Sequence, residues 1–128
     1  MNKVWFITGC STGFGRNLAQ EVLQNGGKVA VTARNTNDVK DIVNKYPDTA
    51  FASTLDVTKP QQVKDAVQQA INKFGQIDVL VNNAGIGYFG AIEESEEDQV
   101  RRMFEINFFG LNAVTTEVLP HLRKQRSG

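Results

Sequence analysis

The alternation of short apolar runs with segments of helical periodicity constrains the fold of this chain most strongly. Four runs have the length and composition of buried strands: Val4–Ile7, Lys28–Ala33, Ala50–Leu55 and Ile77–Val81. Between them the apolar residues recur at intervals of three and four, as in Leu18, Ala19, Val22 and Leu23. The resulting β-α-β-α-β-α-β-α pattern predicts an α/β domain, with a parallel sheet covered by helices on both faces.

Side chains at two helix starts suggest how those helices are capped. Thr58 and Gln61 have the spacing of a capping box at the start of the third helix. Ser95, with Asp98 three residues later, predicts the N-cap of the fourth. The helical pattern then continues towards the end of the chain, with a kink expected within residues 107–110.

Composition excludes several classes of function. The 128 residues suit one domain, and 14 basic against 14 acidic residues leave no surplus positive charge for a nucleic-acid partner. The 41% hydrophobic content is too high for a disordered chain, yet no run is long enough for a membrane helix and no targeting segment is expected. A single cysteine, Cys10, fits a reducing compartment, so we expect a cytoplasmic protein with no metal site. We interpret Cys10 as a packed side chain rather than a reactive thiol.

A glycine-rich loop joins the first strand to the first helix. It reads Thr8–Gly9–Cys10–Ser11–Thr12–Gly13–Phe14–Gly15. Glycines in such a loop permit a tight turn and a close approach of backbone to ligand, and the helix start offers free N–H groups to a pyrophosphate. Ser11 and Thr12 either bind the adenosine phosphate or ribose or cap the helix, and Phe14 is expected to offer its N–H while its ring packs in the core. The alternative is a tight turn that binds nothing.

The spacing of this loop resembles the T-G-x-x-x-G-x-G motif of the short-chain dehydrogenase/reductase family. Asn82–Asn83–Ala84–Gly85 resembles the N-N-A-G motif of that family, and Asp56–Val57 resembles its adenine-contacting pair. Asn107 stands where the family has its catalytic-site asparagine. The resemblance implies the amino-terminal half of a Rossmann-type, doubly wound sheet with strand order 3-2-1-4. It also implies these cofactor-binding residues: Gly9, Ser11, Thr12, Gly13, Phe14, Gly15, Asp56, Val57, Asn83, Ala84 and Gly85.

The end of the second strand indicates which cofactor is preferred. A carboxylate there would bind the ribose 2′-hydroxyl of NAD and repel a 2′-phosphate. The strand instead ends in Thr32–Ala33–Arg34, and a guanidinium offers a planar fork to phosphate. The sequence therefore favours NADP(H) over NAD(H), with a solvated loop arginine as the alternative. The resemblance agrees, since NADP-preferring members of the family often carry arginine here.

The family's proton-transfer groups have no counterpart in this chain. The family uses a tyrosine four residues before a lysine, plus an upstream serine, whereas Tyr46 and Tyr88 are followed at that distance by Ala50 and Ile92. The sequence ends where the family's fifth strand would begin, so we expect residues 1–128 to be a dinucleotide-binding domain truncated before that strand. We expect an NADP(H)-dependent carbonyl or alcohol oxidoreductase, represented by its cofactor-binding half and inactive alone. The alternatives are a non-catalytic nucleotide-binding module and a structural fragment that binds nothing.

The predicted strand order also bears on assembly. The fourth strand becomes an apolar edge when no fifth strand pairs with it, and such an edge favours association. We therefore expect a homo-oligomer formed through this edge or through the last helices.

Overall fold

The structure, a computed structural model, describes residues 2–128. Strands and helices alternate along most of the chain, and their bounds are β1 Val4–Ile7, α1 Gly13–Gln24, β2 Lys28–Ala33, α2 Lys40–Lys45, β3 Ala50–Thr54, α3 Pro60–Phe74, β4 Val79–Val81, α4 Glu97–Phe104 and α5 Leu111–Gln125. Short 3-10 turns at Thr36–Val39 and Ile92–Glu94 precede α2 and α4.

The four strands form one parallel sheet in the order β3-β2-β1-β4, which confirms the predicted α/β class and strand order. Alternate residues of a strand enter different cores. Phe6 and Ala30 pack with α3 and α5, whereas Ile7 and Val31 pack with α1 and α2. Both faces of the sheet are therefore covered by helices, which explains why its strands are apolar almost throughout.

Two of the predicted strand boundaries are wrong. β3 ends at Thr54, one residue before Leu55, and β4 begins at Val79, two residues after Ile77. Ile77 is buried in the core, but its N–H donates to the Gln125 side chain and it does not belong to the strand.

Both predicted caps are also wrong. The Thr58 hydroxyl donates to Asp56 Oδ1 at 2.6 Å, and the N-cap of α3 is Lys59. The Ser95 hydroxyl donates to the Ala91 carbonyl at 2.8 Å, and the N-cap of α4 is Glu96. In each case the hydroxyl donates to an earlier residue, because local side-chain hydrogen bonds compete with capping.

The stretch where the sequence predicts a kink lies between α4 and α5. Residues Glu105–Gly110 form a π-helical segment there. A Cβ added at Gly110 would lie 2.5 Å from Val57 Cγ2, so the last helices pass very close to the end of β3 at this point. Glycine permits that approach, and the π-helical segment joins α4 to α5.

Candidate dinucleotide site

The start of α1 presents an unblocked helix end to solvent. Thr12 is its N-cap, and the Thr12 side chain makes no capping bond to any described residue. Gly13 has φ +63°, with no heavy atom within 4 Å of the position a Cβ would take. The first turn carries no acidic side chain, so its N–H groups and positive dipole face an open space. This is the geometry that binds a phosphate.

The glycine loop packs directly on the turn after β4. A Cβ added at Gly15 would lie 2.3 Å from the Gly9 carbonyl oxygen and 2.4 Å from Asn83 Nδ2. A Cβ at Gly9 would lie 2.9 Å from Ala84 Cα. Glycine at these positions therefore brings three backbone segments together.

Thr8 and Asn83 hold the two motifs together by hydrogen bonds. The buried Thr8 Oγ1 accepts from the N–H of Asn83 at 3.0 Å and from that of Ala84 at 2.9 Å. In return, Asn83 Nδ2 donates to the carbonyl oxygens of Thr8 at 3.1 Å and Gly9 at 3.0 Å. Asn83 thus ties the turn after β4 to the residues that directly follow β1.

Asp56 lies just beyond β3 as an ionised acceptor. Burial opposes its charge, but hydrogen bonds from the hydroxyl and N–H of Thr58, with the positive charges of Lys59 and Arg34, outweigh that effect and lower the Asp56 pKa below its usual 3.8. Both Thr58 bonds go to Oδ1. The carboxylate is fixed by this turn beside the end of the sheet.

An open cavity of about 860 Å³ gathers most of the predicted residues along the carboxyl ends of the strands. The predicted residues that line it are Gly9, Ser11, Thr12, Phe14, Arg34, Asp56, Val57, Asn83, Ala84 and Gly85. Gly13 and Gly15 are not among the lining residues, although Gly15 supports the loop from beneath. Parallel sheets bind ligands at this edge, and the volume is of the size that ligand pockets have.

The prediction that the Phe14 ring packs in the core is wrong. Its ring is 88% exposed and lines the cavity instead of packing in the core. The buried residues of α1 are Gly15, Ala19 and Leu23, which follow helical spacing, and Phe14 falls outside that row.

No sequence motif predicts that α4 and its continuation contribute to the cavity. The cavity is also lined by Asp98, Arg101, Arg102 and Glu105. Their spacing of i, i+3, i+4 and i+7 places them on one helix face, and this periodicity was the signal that could have found them. Arg101 pairs with Glu97 at 2.7 Å, an exposed pair with little effect on stability.

Asn107 lies outside the cavity lining, within the π-helical segment. Its Oδ1 accepts from the N–H of Ile86 at 2.9 Å, and its Nδ2 donates to the Ile86 carbonyl at 2.7 Å. A Cβ at Gly85 would lie 3.1 Å from that Oδ1. The side chain therefore holds the chain just after the N-N-A-G motif.

Cys10 is packed, as expected from the sequence. It is fully buried, and its thiol lies 3.2 Å from the Ile7 carbonyl. Burial raises the Cys10 pKa to about 12, against the smaller effect of its backbone hydrogen bond with Thr32. The thiol therefore stays protonated and does not act as a nucleophile near neutral pH.

Residues 2–128 hold no group of three or more His, Cys, Asp or Glu side chains placed to bind a metal ion. Within the same range, no helix has both the length and the apolar character required to cross a membrane.

The residues present fit a dinucleotide. Open N–H groups at a helix start suit a pyrophosphate, and the ionised Asp56 and the guanidinium of Arg34 lie along the same cavity. The fold and this edge define a Rossmann-type nucleotide-binding domain.

Comparison with known proteins identifies the family. The short chain dehydrogenase family model matches residues 3–128, and the chain belongs to that family. Oxidoreductase BOA17 of Botryotinia fuckeliana is 43% identical over 129 residues, covering 100% of this chain and 47% of the relative. A short-chain dehydrogenase structure from Streptomyces avermitilis superposes with a TM-score of 0.94 at 41% identity, covering 100% of this chain and 47% of that one.

Two further solved structures contain a nicotinamide cofactor. The 3-ketoacyl-(acyl-carrier-protein) reductase of Brucella melitensis, complexed with NADH, gives a TM-score of 0.91 at 34% identity, covering 96% of this chain and 51% of that one. An alcohol dehydrogenase from the archaeon Thermococcus sibiricus, complexed with 5-hydroxy-NADP, gives a TM-score of 0.92 at 30% identity. The match covers 99% of this chain and 56% of that one. The chain thus spans about half the length of the relatives it matches. The family binds NAD(P), and these neighbours include both forms of the cofactor.

Proposed function

We propose that the chain provides the cofactor-binding half of an NADP(H)-dependent oxidoreductase, which transfers hydride between the cofactor and a carbonyl or alcohol. The observation that carries the cofactor choice is Arg34. It directly follows β2, is exposed and lines the same cavity as Ser11 and Asp56. A guanidinium at this place attracts a ribose 2′-phosphate, and the strand end has no carboxylate to repel it.

The geometry of this edge supports the remaining cofactor contacts that we propose. The pyrophosphate would lie at the start of α1, against the N–H groups of Gly13 and Phe14 and the side chains of Ser11 and Thr12. Asp56, with its lowered pKa, would accept from the exocyclic amine of adenine. Val57 and the N-N-A-G turn would border the adenosine and the ribose near the nicotinamide.

Asn107 is proposed as the one member of the catalytic set in this chain. When bound, the cofactor supplies the hydride. What Asn107 does here is to fix the backbone of Ile86 through two hydrogen bonds. We propose that the chain alone does not complete the reaction, since it has no tyrosine four residues before a lysine.

A second candidate function is a non-catalytic nucleotide-binding module. The Tyr88 hydroxyl favours it, because this group accepts the N–H of Glu96 at 3.0 Å and so supports the start of α4. This hydrogen bond gives Tyr88 a structural role at the start of α4.

Homo-oligomerisation and a cytoplasmic location remain parts of this proposal. β4 ends the described sheet, and Phe104, Phe108 and Phe109 expose between 53% and 59% of their surface. Apolar surface of this kind favours association. Sedimentation that showed a monomer at high concentration would contradict the assembly.

The proposed cytoplasmic location is compatible with the single thiol, Cys10, because an unpaired cysteine fits a reducing compartment.

Titration of the chain with NADPH and NADH, followed by their fluorescence, tests the proposed function. We expect NADPH to bind more tightly than NADH, and we expect Arg34→Ala to lower the ratio of the two affinities roughly tenfold. Arg123→Ala, an exposed arginine on α5, is the matched control and should change neither affinity. An unchanged NADPH affinity in Arg34→Ala would refute the cofactor assignment. Turnover of aldehydes or ketones by the chain alone would refute its proposed inactivity.

A further inference from the structure

Arg16 links two segments that both line the proposed adenosine site. It is the fourth residue of α1, directly after Gly15, and its side chain is 24% exposed. Arg16 is not among the residues that line the cavity. Its guanidinium instead points towards the segment that follows β2.

The contacts of Arg16 reach both segments. Nη1 donates to the Asp38 carbonyl at 3.0 Å and, over a longer 3.4 Å, to the Ser11 carbonyl. Nη2 forms an ion pair with the Asp41 carboxylate in the first turn of α2. One planar group thus joins the glycine loop to the 3-10 turn and to α2.

The segment held by Arg16 carries the residue on which the cofactor choice rests. Arg34 is followed at once by Asn35, whose side chain caps the 3-10 turn by accepting from the N–H of Asn37. Asp38 lies in that turn, so Arg16 restrains a short, capped connection that begins at Arg34. On the other side, Ser11 lines the cavity in the glycine loop.

We propose that Arg16 is a positioning residue, which holds the Arg34 segment at a fixed distance from the glycine loop by bridging Ser11, Asp38 and Asp41. The proposal rests on the proposed NADP(H) function. A ligand that bears a 2′-phosphate needs both segments at once, because its 5′-phosphate lies at α1 and its 2′-phosphate at Arg34. A ligand without the 2′-phosphate depends on the glycine loop and much less on Arg34.

Calorimetric titration with adenosine 2′,5′-bisphosphate and adenosine 5′-monophosphate tests this inference, since the two probes differ by the 2′-phosphate. We expect Arg16→Ala to weaken binding of the bisphosphate roughly fivefold to tenfold and to change that of the monophosphate less than about twofold. Asp41→Ala removes the ion pair but leaves Arg16 in place, so we expect it to disturb folding less. It should still lower the preference for the bisphosphate over the monophosphate. Arg123→Ala should change neither affinity.

Equal weakening of both probes by Arg16→Ala, or no change in either, would overturn the positioning role and indicate a merely structural contact. If Arg16→Ala does not fold by circular dichroism, an unchanged preference in Asp41→Ala overturns the role instead. The Arg34→Ala variant distinguishes a failure of the Arg16 positioning role from a failure of the proposed NADP(H) function. A parent chain that binds both probes equally, with no effect of Arg34→Ala, refutes the NADP(H) assignment and the inference with it.

Discussion

Gly15→Ala is a substitution whose cost can be worked out from the structure. The added methyl group would lie 2.3 Å from the Gly9 carbonyl oxygen and 2.4 Å from Asn83 Nδ2. These two atoms are hydrogen-bonded to each other at 3.0 Å, so neither is free to move aside. Ordinary van der Waals contact would require a shift of about 1 Å.

Three contributions set the size of the effect. Overpacking costs roughly 1–3 kcal/mol, and loss of the two hydrogen bonds of Asn83 Nδ2 costs about 1 kcal/mol each. The better helix propensity of alanine offsets about 1 kcal/mol. We expect the free energy of unfolding to fall by roughly 2–4 kcal/mol. Dinucleotide affinity should fall at least about tenfold, because the start of α1 is displaced.

Urea unfolding and NADPH titration measure the two effects. Gly26→Ala is the matched control: Gly26 has φ +83°, no heavy atom lies within 4 Å of its added Cβ, and it follows the other end of α1. It should lose about 1–2 kcal/mol of stability from backbone strain and keep its NADPH affinity. The reasoning is refuted if Gly15→Ala retains the stability and affinity of the parent, or if both variants lose affinity equally.

Three other predictions concern single side chains. Burial raises the Cys10 pKa from 9.0 to about 12, so stability is complete below pH 9 and falls as the pH rises towards 12. Urea unfolding should show a loss on the order of 1 kcal/mol between pH 7 and pH 10, and Cys10→Ala should abolish that loss; an identical loss in the variant would contradict it. The lowered pKa of Asp56 contributes stability above pH 3.8 that is lost as the pH falls through the folded-state value. Asp56→Asn should therefore lose less stability than the parent between pH 7 and pH 3, and an equal loss would count against the assignment. Asn107→Ala removes both hydrogen bonds to Ile86, so hydrogen exchange followed by NMR should show faster exchange of the Ile86 N–H, and unchanged protection would exclude this role.

Strand positions follow from the sequence because a buried parallel sheet requires apolar residues on both faces. The strand boundaries do not follow from the sequence, because apolar character indicates burial but not hydrogen bonding to a neighbouring strand. Ile77 is buried in the core while its N–H donates to Gln125 outside the sheet. Thr58 illustrates the same limit at a helix start. Its hydroxyl is drawn to Asp56 two residues earlier, a competing turn that a capping pattern does not reveal.

Sequence motifs single out residues on the glycine-loop and strand-end side of the cavity, and none on its helical side. Motifs at strand ends identify Ser11, Asp56 and Asn83, since the carboxyl ends of parallel strands meet at one edge. The α4 residues carry no such motif. Their periodicity shows that they share one helix face, but such a charged face is usually solvated, and the path of the chain after β4 decides that it lies against the cavity.

The glycine loop and the N-N-A-G turn act as one unit because Thr8 and Asn83 exchange hydrogen bonds across them. Thr8 Oγ1 accepts two N–H groups of the turn, and Asn83 Nδ2 donates to two carbonyls at the start of the loop. A change in either motif therefore displaces the other, even where the altered side chain never touches the nucleotide. For this reason a loss of affinity in an Asn83 variant cannot by itself be assigned to a lost cofactor contact. The variant's stability and its affinity have to be measured together, since a displaced Gly9 weakens binding through the start of α1.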